Sequence, residues 1–132
     1  MEKYEYFPMF INISGKRMLI VGGGKIAFRR VETLSKFACE IIVAAPEVCP
    51  GIREKAGKGE LTLLESAFEP ELLMGADYVF ACTDDPDKNR EITELAKMAG
   101  VPVNDCSDRS RCGFYFPAVL TSGDYVIGVT SG

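Results

Sequence analysis

The chain is 132 residues long, 47% hydrophobic and 26% charged, proportions that suit one ordinary domain able to bury a core and crowd out a second. Its net charge of -4 argues against a general nucleic-acid surface, while local pairs such as Arg29 with Arg30, or Arg109 with Arg111, leave an anionic ligand open. No apolar run approaches the roughly 20 residues that span a bilayer, and residues 1–10 lack the basic-then-apolar order of a signal peptide, so a cytoplasmic protein without a membrane partner is expected.

After a short extended lead, Phe7 to Ile13, the continuously apolar segment Arg17 to Val21 reads as a buried parallel strand closed by glycine. A helix is predicted from Lys25 to Phe37, with Ile26, Val31, Leu34 and Phe37 recurring at helical spacing. Glu40 to Ala45 is a second strand stopped by Pro46, completing a βαβ unit of about 30 residues. Pro50 to Lys58 suits a short helix, Leu61 to Glu65 a third strand, Glu69 to Met74 a helical turn, and Tyr78 to Cys82 a fourth strand. Asp84 or Asp85 then caps a helix begun by Pro86 and ended by Gly100, and Val101 to Asn104 is a fifth strand. Phe114 to Leu120 and Tyr125 to Thr130 read as closing strands joined like a hairpin. The alternation over residues 17–104 predicts an α/β, Rossmann-like, doubly wound and mostly parallel sheet over residues 1–132, with the last strands extending or covering its edge.

Leu19-Ile20-Val21-Gly22-Gly23-Gly24-Lys25-Ile26-Ala27 carries the strongest functional signal, because a buried strand breaks on three glycines and resumes as a helix. Gly22 supplies a tight turn, Gly24 lets the backbone approach a pyrophosphate, and Ala27 lets helix and strand pack closely. Lys25 and Ile26 offer backbone N–H groups at the positive end of the helix dipole. An acid reading the ribose is expected about 20 residues further on. Glu47, beside Pro46, is the near candidate, and equally reads as an exposed charge opening the next helix. No Arg or Lys sits at that strand tip to welcome a 2′-phosphate, so NAD is favoured over NADP.

Thr83, Asp84 and Asp85 serve either as helix caps or as neighbours of the cofactor, and Asn89 can face the same crevice. Asn104-Asp105-Cys106-Ser107-Asp108-Arg109 places two carboxylates, a thiol and a hydroxyl in one loop at a strand end, where chemistry often sits. Histidine is absent, which removes the commonest general acid-base group and metal ligand. The five cysteines form no C-x-x-C pair, so reduced, structural thiols are expected rather than a disulfide framework or a zinc site.

Phe7-Pro8-Met9-Phe10, Ser14-Gly15-Lys16, the glycine turn with Ala27, Arg29 and Arg30, Ala81-Cys82-Thr83-Asp84-Asp85 with Asn89, Pro102-Val103-Asn104, Phe114-Tyr115-Phe116-Pro117-Ala118 and Thr130-Ser131-Gly132 occur in one order. In that order they resemble the precorrin-2 dehydrogenase and sirohydrochlorin ferrochelatase family, the amino-terminal module of siroheme synthase. The resemblance covers essentially the whole chain. It implies NAD-dependent oxidation of precorrin-2 to sirohydrochlorin, often followed by insertion of ferrous iron, in a homodimer.

Carried over by position, the resemblance assigns Gly22, Gly23, Gly24, Lys25 and Ile26 to the pyrophosphate, Pro46 and Glu47 to the adenosine side, and Thr83 and Asn104 to the nicotinamide end. Arg29, Arg30, Arg109, Arg111 and Ser131 become contacts for the anionic tetrapyrrole, the arginines through charge-assisted bonds. Many relatives carry an aspartate three positions after the equivalent of Asn104, where this chain has Ser107. Asp108 and Asp105 flank it and are the candidate proton acceptors.

The family also continues past the equivalent of Ser131-Gly132 into dimerisation and helical segments, and their absence after residue 132 is expected to weaken pairing and turnover. Two alternatives stand beside the dehydrogenase. One is a non-catalytic module that binds NAD or a tetrapyrrole, and the other is a Rossmann-type reductase for a different metabolite.

Overall fold

The computed structural model describes residues 2–131; Gly132, the end of the Thr130-Ser131-Gly132 motif, lies outside them. Five strands, β1 (Arg17–Val21), β2 (Glu40–Ala44), β3 (Thr62–Leu64), β4 (Tyr78–Ala81) and β5 (Val103–Asp105), form one parallel sheet in the order β3-β2-β1-β4-β5. Three helices connect them: α1 (Lys25–Leu34), α2 (Pro50–Gly57) and α3 (Pro86–Met98). The 3-10 turn Pro70–Leu73 leads into β4.

Residues 18–21 of β1 are all buried because both faces of the sheet are covered. Met18 and Ile20 point to one side, where Ala27, Val31 and Leu34 of α1 and Ile52 of α2 join them. Leu19 and Val21 point to the other, against Ile92 and Ala96 of α3 and Leu73 of the 3-10 turn. Phe80 fills the first layer with no exposed surface, and the rings of Phe114 and Phe116 meet it edge-on at 5.5 and 5.4 Å. Burying a ring this size stabilises the fold by about 1.5–3 kcal/mol, with edge contacts adding to it.

The doubly wound parallel sheet is as the alternation predicts, and the ends of its elements differ for local reasons. α1 stops at Leu34 rather than Phe37, because the Ser35 hydroxyl donates to the Val31 carbonyl at 2.7 Å and the chain tightens into the Leu34–Phe37 turn. β5 starts at Val103 rather than Val101, since the Val101 N–H is already spent on Ala96 at the end of α3 and Pro102 has none to give.

The closing strands do not extend the main sheet. β6 (Ala118–Ser122) and β7 (Tyr125–Val129) pair only with each other, antiparallel, with Ser122 opposite Tyr125. Gly123, at φ +56°, makes the tight reversal between them. Residues 114–117 are loop rather than strand. Phe114 and Phe116 turn inward onto the core, and Pro117 interrupts any ladder before β6.

Candidate active site

All five parallel strands end on the same side, and the order of connection reverses between β1 and β4, the place where open α/β sheets bind ligands. The glycine turn lies there, clamped on two sides. Gly22 has φ +133°, and a Cβ on it would run into the Cys82 carbonyl at the tip of β4. A Cβ on Gly23 would strike the Glu47 carbonyl, and the Gly23 carbonyl accepts from Cys49 at 2.8 Å. Gly24 differs: a Cβ there meets nothing within 4 Å.

The start of α1 is bare. Gly24 is its N-cap, no side chain caps it, and its first turn holds no acidic residue. By contrast α3 is capped by Asp85, whose carboxylate accepts from the Asp87 and Lys88 N–H groups at 3.0 and 3.4 Å. Of the two aspartates that could cap α3, it is Asp85 that does so. An uncapped helix end, reached through an open glycine at a sheet's switch point, is a cradle for a phosphate or pyrophosphate. Lys25 and Ile26 are exposed beside it, as are Pro46 and Glu47 on the adjoining β2–α2 loop. The residues present therefore fit a bound dinucleotide.

At the tips of β4 and β5 the polar groups bind one another. Asn89, 1% exposed, accepts from the Thr83 N–H and hydroxyl at 3.0 and 2.6 Å, and its amide donates to the Thr83 carbonyl and to the Ser107 hydroxyl. Asn104 donates to the Phe114 carbonyl at 2.9 Å and so pins the aromatic loop beneath β6. Thr83 and Asn104, which the resemblance assigns to the nicotinamide end, stand at the strand tips with their polar groups engaged in holding loops.

Asp105 is the centre of this network. One oxygen accepts from the Ser107 N–H and hydroxyl at 3.0 and 2.7 Å, the other from Arg111 Nε at 2.9 Å and the Thr93 hydroxyl at 3.3 Å. Burial alone would raise its pKa. The bonds from Ser107 and the Arg111 guanidinium outweigh that and hold it below the usual carboxylate range. Its side chain has no exposed surface. Of the two expected proton acceptors, Asp105 thus has its oxygens engaged by Thr93, Ser107 and Arg111. Arg111, expected as a tetrapyrrole contact, pairs with Asp105 and with Asp108 at 3.4 Å.

Asp108 keeps 39% of its side chain exposed. The Ser110 hydroxyl and N–H, bonded to one of its oxygens at 2.6 and 2.9 Å, lower its pKa, with Arg111 adding to the effect. It is therefore an ionised carboxylate with a face open to solvent.

The remaining arginines line a groove. Arg29 and Arg30 border a cavity of about 350 Å³ together with Phe116 and Pro117. The Arg30 guanidinium lies 4.5 Å from the centre of the Phe116 ring, and its Nε is buried without a hydrogen-bond partner. Arg109 stacks over Tyr115 at 4.1 Å and donates to Thr130 at 3.5 Å. Arg30, Arg109, Asn104 and Tyr115 meet around a second, smaller cavity. Ser131 is exposed just beyond Thr130. The rings lie against the two guanidinium groups, a geometry that leaves their N–H edges free to pair with carboxylates. The sequence pattern predicts a strand over Phe114–Leu120 and gives no sign of the aromatic platforms; Pro117, directly after the aromatic run, is the signal against the first part of that strand.

A model of the family described as "Putative NAD(P)-binding" matches residues 9–118. The chain is 33% identical over 127 residues to a siroheme synthase of Sodalis glossinidius, covering 96% of this chain and 27% of that protein. It is 34% identical over 128 residues to a siroheme synthase of Methylobacillus flagellatus, covering 97% and 27%. The chain thus spans about a quarter of the length of these relatives. A solved structure of SirC, a precorrin-2 dehydrogenase, superposes with TM-score 0.79 at 25% identity, over 96% of this chain and 62% of that one.

Proposed function

Because the chain belongs to the NAD(P)-binding family that its residues 9–118 match, we propose that it holds NAD at the Gly22–Gly24 turn and oxidises precorrin-2 to sirohydrochlorin. The observation that carries this reading is the bare N-terminus of α1 beside an open Gly24, next to a groove of arginines laid on aromatic rings. The likeness to siroheme synthases and to SirC supports the choice of substrate.

Bound NAD+ supplies the hydride acceptor, and the protein supplies orientation and charge. The N–H groups of Gly24, Lys25 and Ile26 hold the pyrophosphate, with Pro46 and Glu47 on the adenosine side. Arg29, Arg30 and Arg109 pair with peripheral carboxylates of the macrocycle, with Ser131 at the edge of the same surface. Asp108, ionised and exposed on one face, accepts the proton released on oxidation. Asp105 acts one layer behind, fixing Ser107 and Arg111 and thereby the loop that presents Asp108.

Ferrous iron is proposed as a second substrate in the same groove, with Asp108 taking protons from the pyrrole nitrogens. The apolar outer face of the hairpin, Leu120, Tyr125, Ile127 and Val129, supports pairing of two copies. We place the protein in the cytoplasm, where its free cysteines stay reduced. Among the described residues no helix is long and apolar enough to cross a membrane.

A second reading, binding without turnover, is favoured by the hydroxyl at Ser107 and the enclosure of Asp105. Incubation with precorrin-2 and NAD+ separates the two. Growth of NADH absorbance together with the sirohydrochlorin spectrum supports the dehydrogenase, while NAD binding without NADH supports the binding module.

A further inference from the structure

Two cysteines that the proposed reaction does not use stand side by side at the site. β4 and β5 run parallel with Ala81 opposite Asp105, a pair closed by the Cys106 N–H donating to the Ala81 carbonyl at 3.0 Å, and Cys82 and Cys106 are the residues that directly follow it. Cys82 and Cys106 are therefore cross-strand neighbours at the strand spacing of about 4.8 Å, inside the roughly 4.4–6.8 Å Cα separation that a disulfide spans. Both side chains belong to the layer beneath α1.

Their surroundings differ. Cys106 borders the small cavity with Arg30 and Arg109, and Arg30 Nη2 approaches its sulfur at 3.9 Å. Cys82, 5% exposed, lies beneath. The neighbouring Cys82 thiol and the Arg30 charge draw Cys106 below the ordinary thiol range against its burial, and the same pairing together with burial pushes Cys82 well above it. Cys112 is close but occupied: its sulfur accepts from the Asp105 N–H at 3.2 Å, its S–H points to the Asp105 carbonyl at 3.3 Å, and burial raises its pKa.

We propose that Cys106 is a redox modification site, attacked by hydrogen peroxide from the Arg109 side and resolved by Cys82 into a reversible disulfide across the tips of β4 and β5. The Cys106 thiolate attacks one peroxide oxygen, the O–O bond breaks, and the hydroxide released takes a proton to leave as water, giving a sulfenic acid. The Cys82 sulfur then displaces the sulfenic hydroxyl, which leaves with the Cys82 proton as a second water. Two thiols are oxidised by two electrons and one peroxide is reduced. The Cys82 carbonyl walls the Gly22 turn, so the bond forms against the dinucleotide cradle; that consequence rests on the NAD reading, and the thiol chemistry does not.

The test is stoichiometric peroxide on the reduced protein, followed by intact mass and peptide mapping without reductant. The expected result is a loss of two hydrogens, a Cys82–Cys106 linked peptide, and its return to thiols with dithiothreitol. Cys82→Ser should stop at a sulfenic acid on Cys106 that dimedone traps, and Arg30→Met should slow alkylation of Cys106 by about tenfold as the thiolate fraction falls. Absence of the mass loss, or linkage through Cys112 in place of Cys82, overturns the proposal. The wild-type mapping decides without any variant, and NAD titration of the oxidised and reduced forms reads the cofactor site separately.

Discussion

The three glycines of the turn make a graded experiment, because the structure gives each a different reason to be glycine. Gly22→Ala places a side chain at φ +133° and into the Cys82 backbone, so strain and overpacking together should cost about 2–4 kcal/mol of stability. Gly23→Ala drives a Cβ into the Glu47 carbonyl and to 2.9 Å from the Val48 Cα, for about 1–3 kcal/mol. At Gly24 the backbone is extended, φ -94°, and a Cβ meets nothing. The small gain from stiffening the unfolded chain roughly offsets the poorer cap, so Gly24→Ala should fold within about 0.5 kcal/mol of the parent. Yet that open space is where the proposed NAD site puts the pyrophosphate. A methyl there should displace it enough to weaken NAD by at least tenfold, about 1.4 kcal/mol. Urea denaturation of the apo-proteins and calorimetric titration with NAD read the two quantities. Full NAD affinity in Gly24→Ala would refute the placement of the pyrophosphate, and its unfolding would refute the division of labour between the glycines.

Asp105→Asn should destabilise the fold by about 2–4 kcal/mol, since it leaves Arg111 beside an uncharged amide in a half-buried setting; thermal unfolding measures it. The Asp105 carboxyl lies lower in the folded than in the unfolded protein, so its contribution is present above the unfolded value near pH ~4 and is lost as pH falls through the folded one. The acid limb of a stability-versus-pH curve should accordingly be shallower in Asp105→Asn than in the parent. Asp108→Ala should keep NAD affinity within twofold and lower turnover of precorrin-2 by about 10²-fold or more, as expected for loss of a proton acceptor; equal turnover removes Asp108 from the mechanism. Arg30→Ala should weaken sirohydrochlorin binding by about ten- to a hundredfold, the worth of a charge-assisted bond in a desolvated place, and fluorescence titration of the tetrapyrrole checks it.

The parallel sheet was legible because residues 18–21 and 41–45 are apolar throughout, and only strands covered on both faces need be. The glycine turn was legible because its spacing answers to backbone geometry that few other residues satisfy. The roles of the acids were not. Asp105 and Asp108 stand three apart in one loop and look alike in sequence, but strand alternation turns Asp105 inward to Thr93 while Asp108 begins the next turn at the surface. Arg111 likewise reads as one more cation beside Arg109 until the fold points its Nε at Asp105. Of the strand predicted over Phe114–Leu120, the first four residues are loop because aromatic residues favour strands and core packing equally, and here the rings of Phe80 and Tyr6 and the guanidinium groups of Arg30 and Arg109 pack against them.

On the proposed function, the Gly22–Gly24 turn would hold NAD and the arginine groove would hold the tetrapyrrole, so that the cofactor would supply the hydride acceptor for the macrocycle. Precorrin-2 carrying deuterium at the carbon that is oxidised, mixed with the protein and NAD+ without oxygen, tests it most directly. The deuterium should appear in the reduced nicotinamide, mole for mole with sirohydrochlorin, and Gly24→Ala should slow this transfer. Reduced nicotinamide without the label, or bound NAD+ that stays oxidised beside bound precorrin-2, would contradict it.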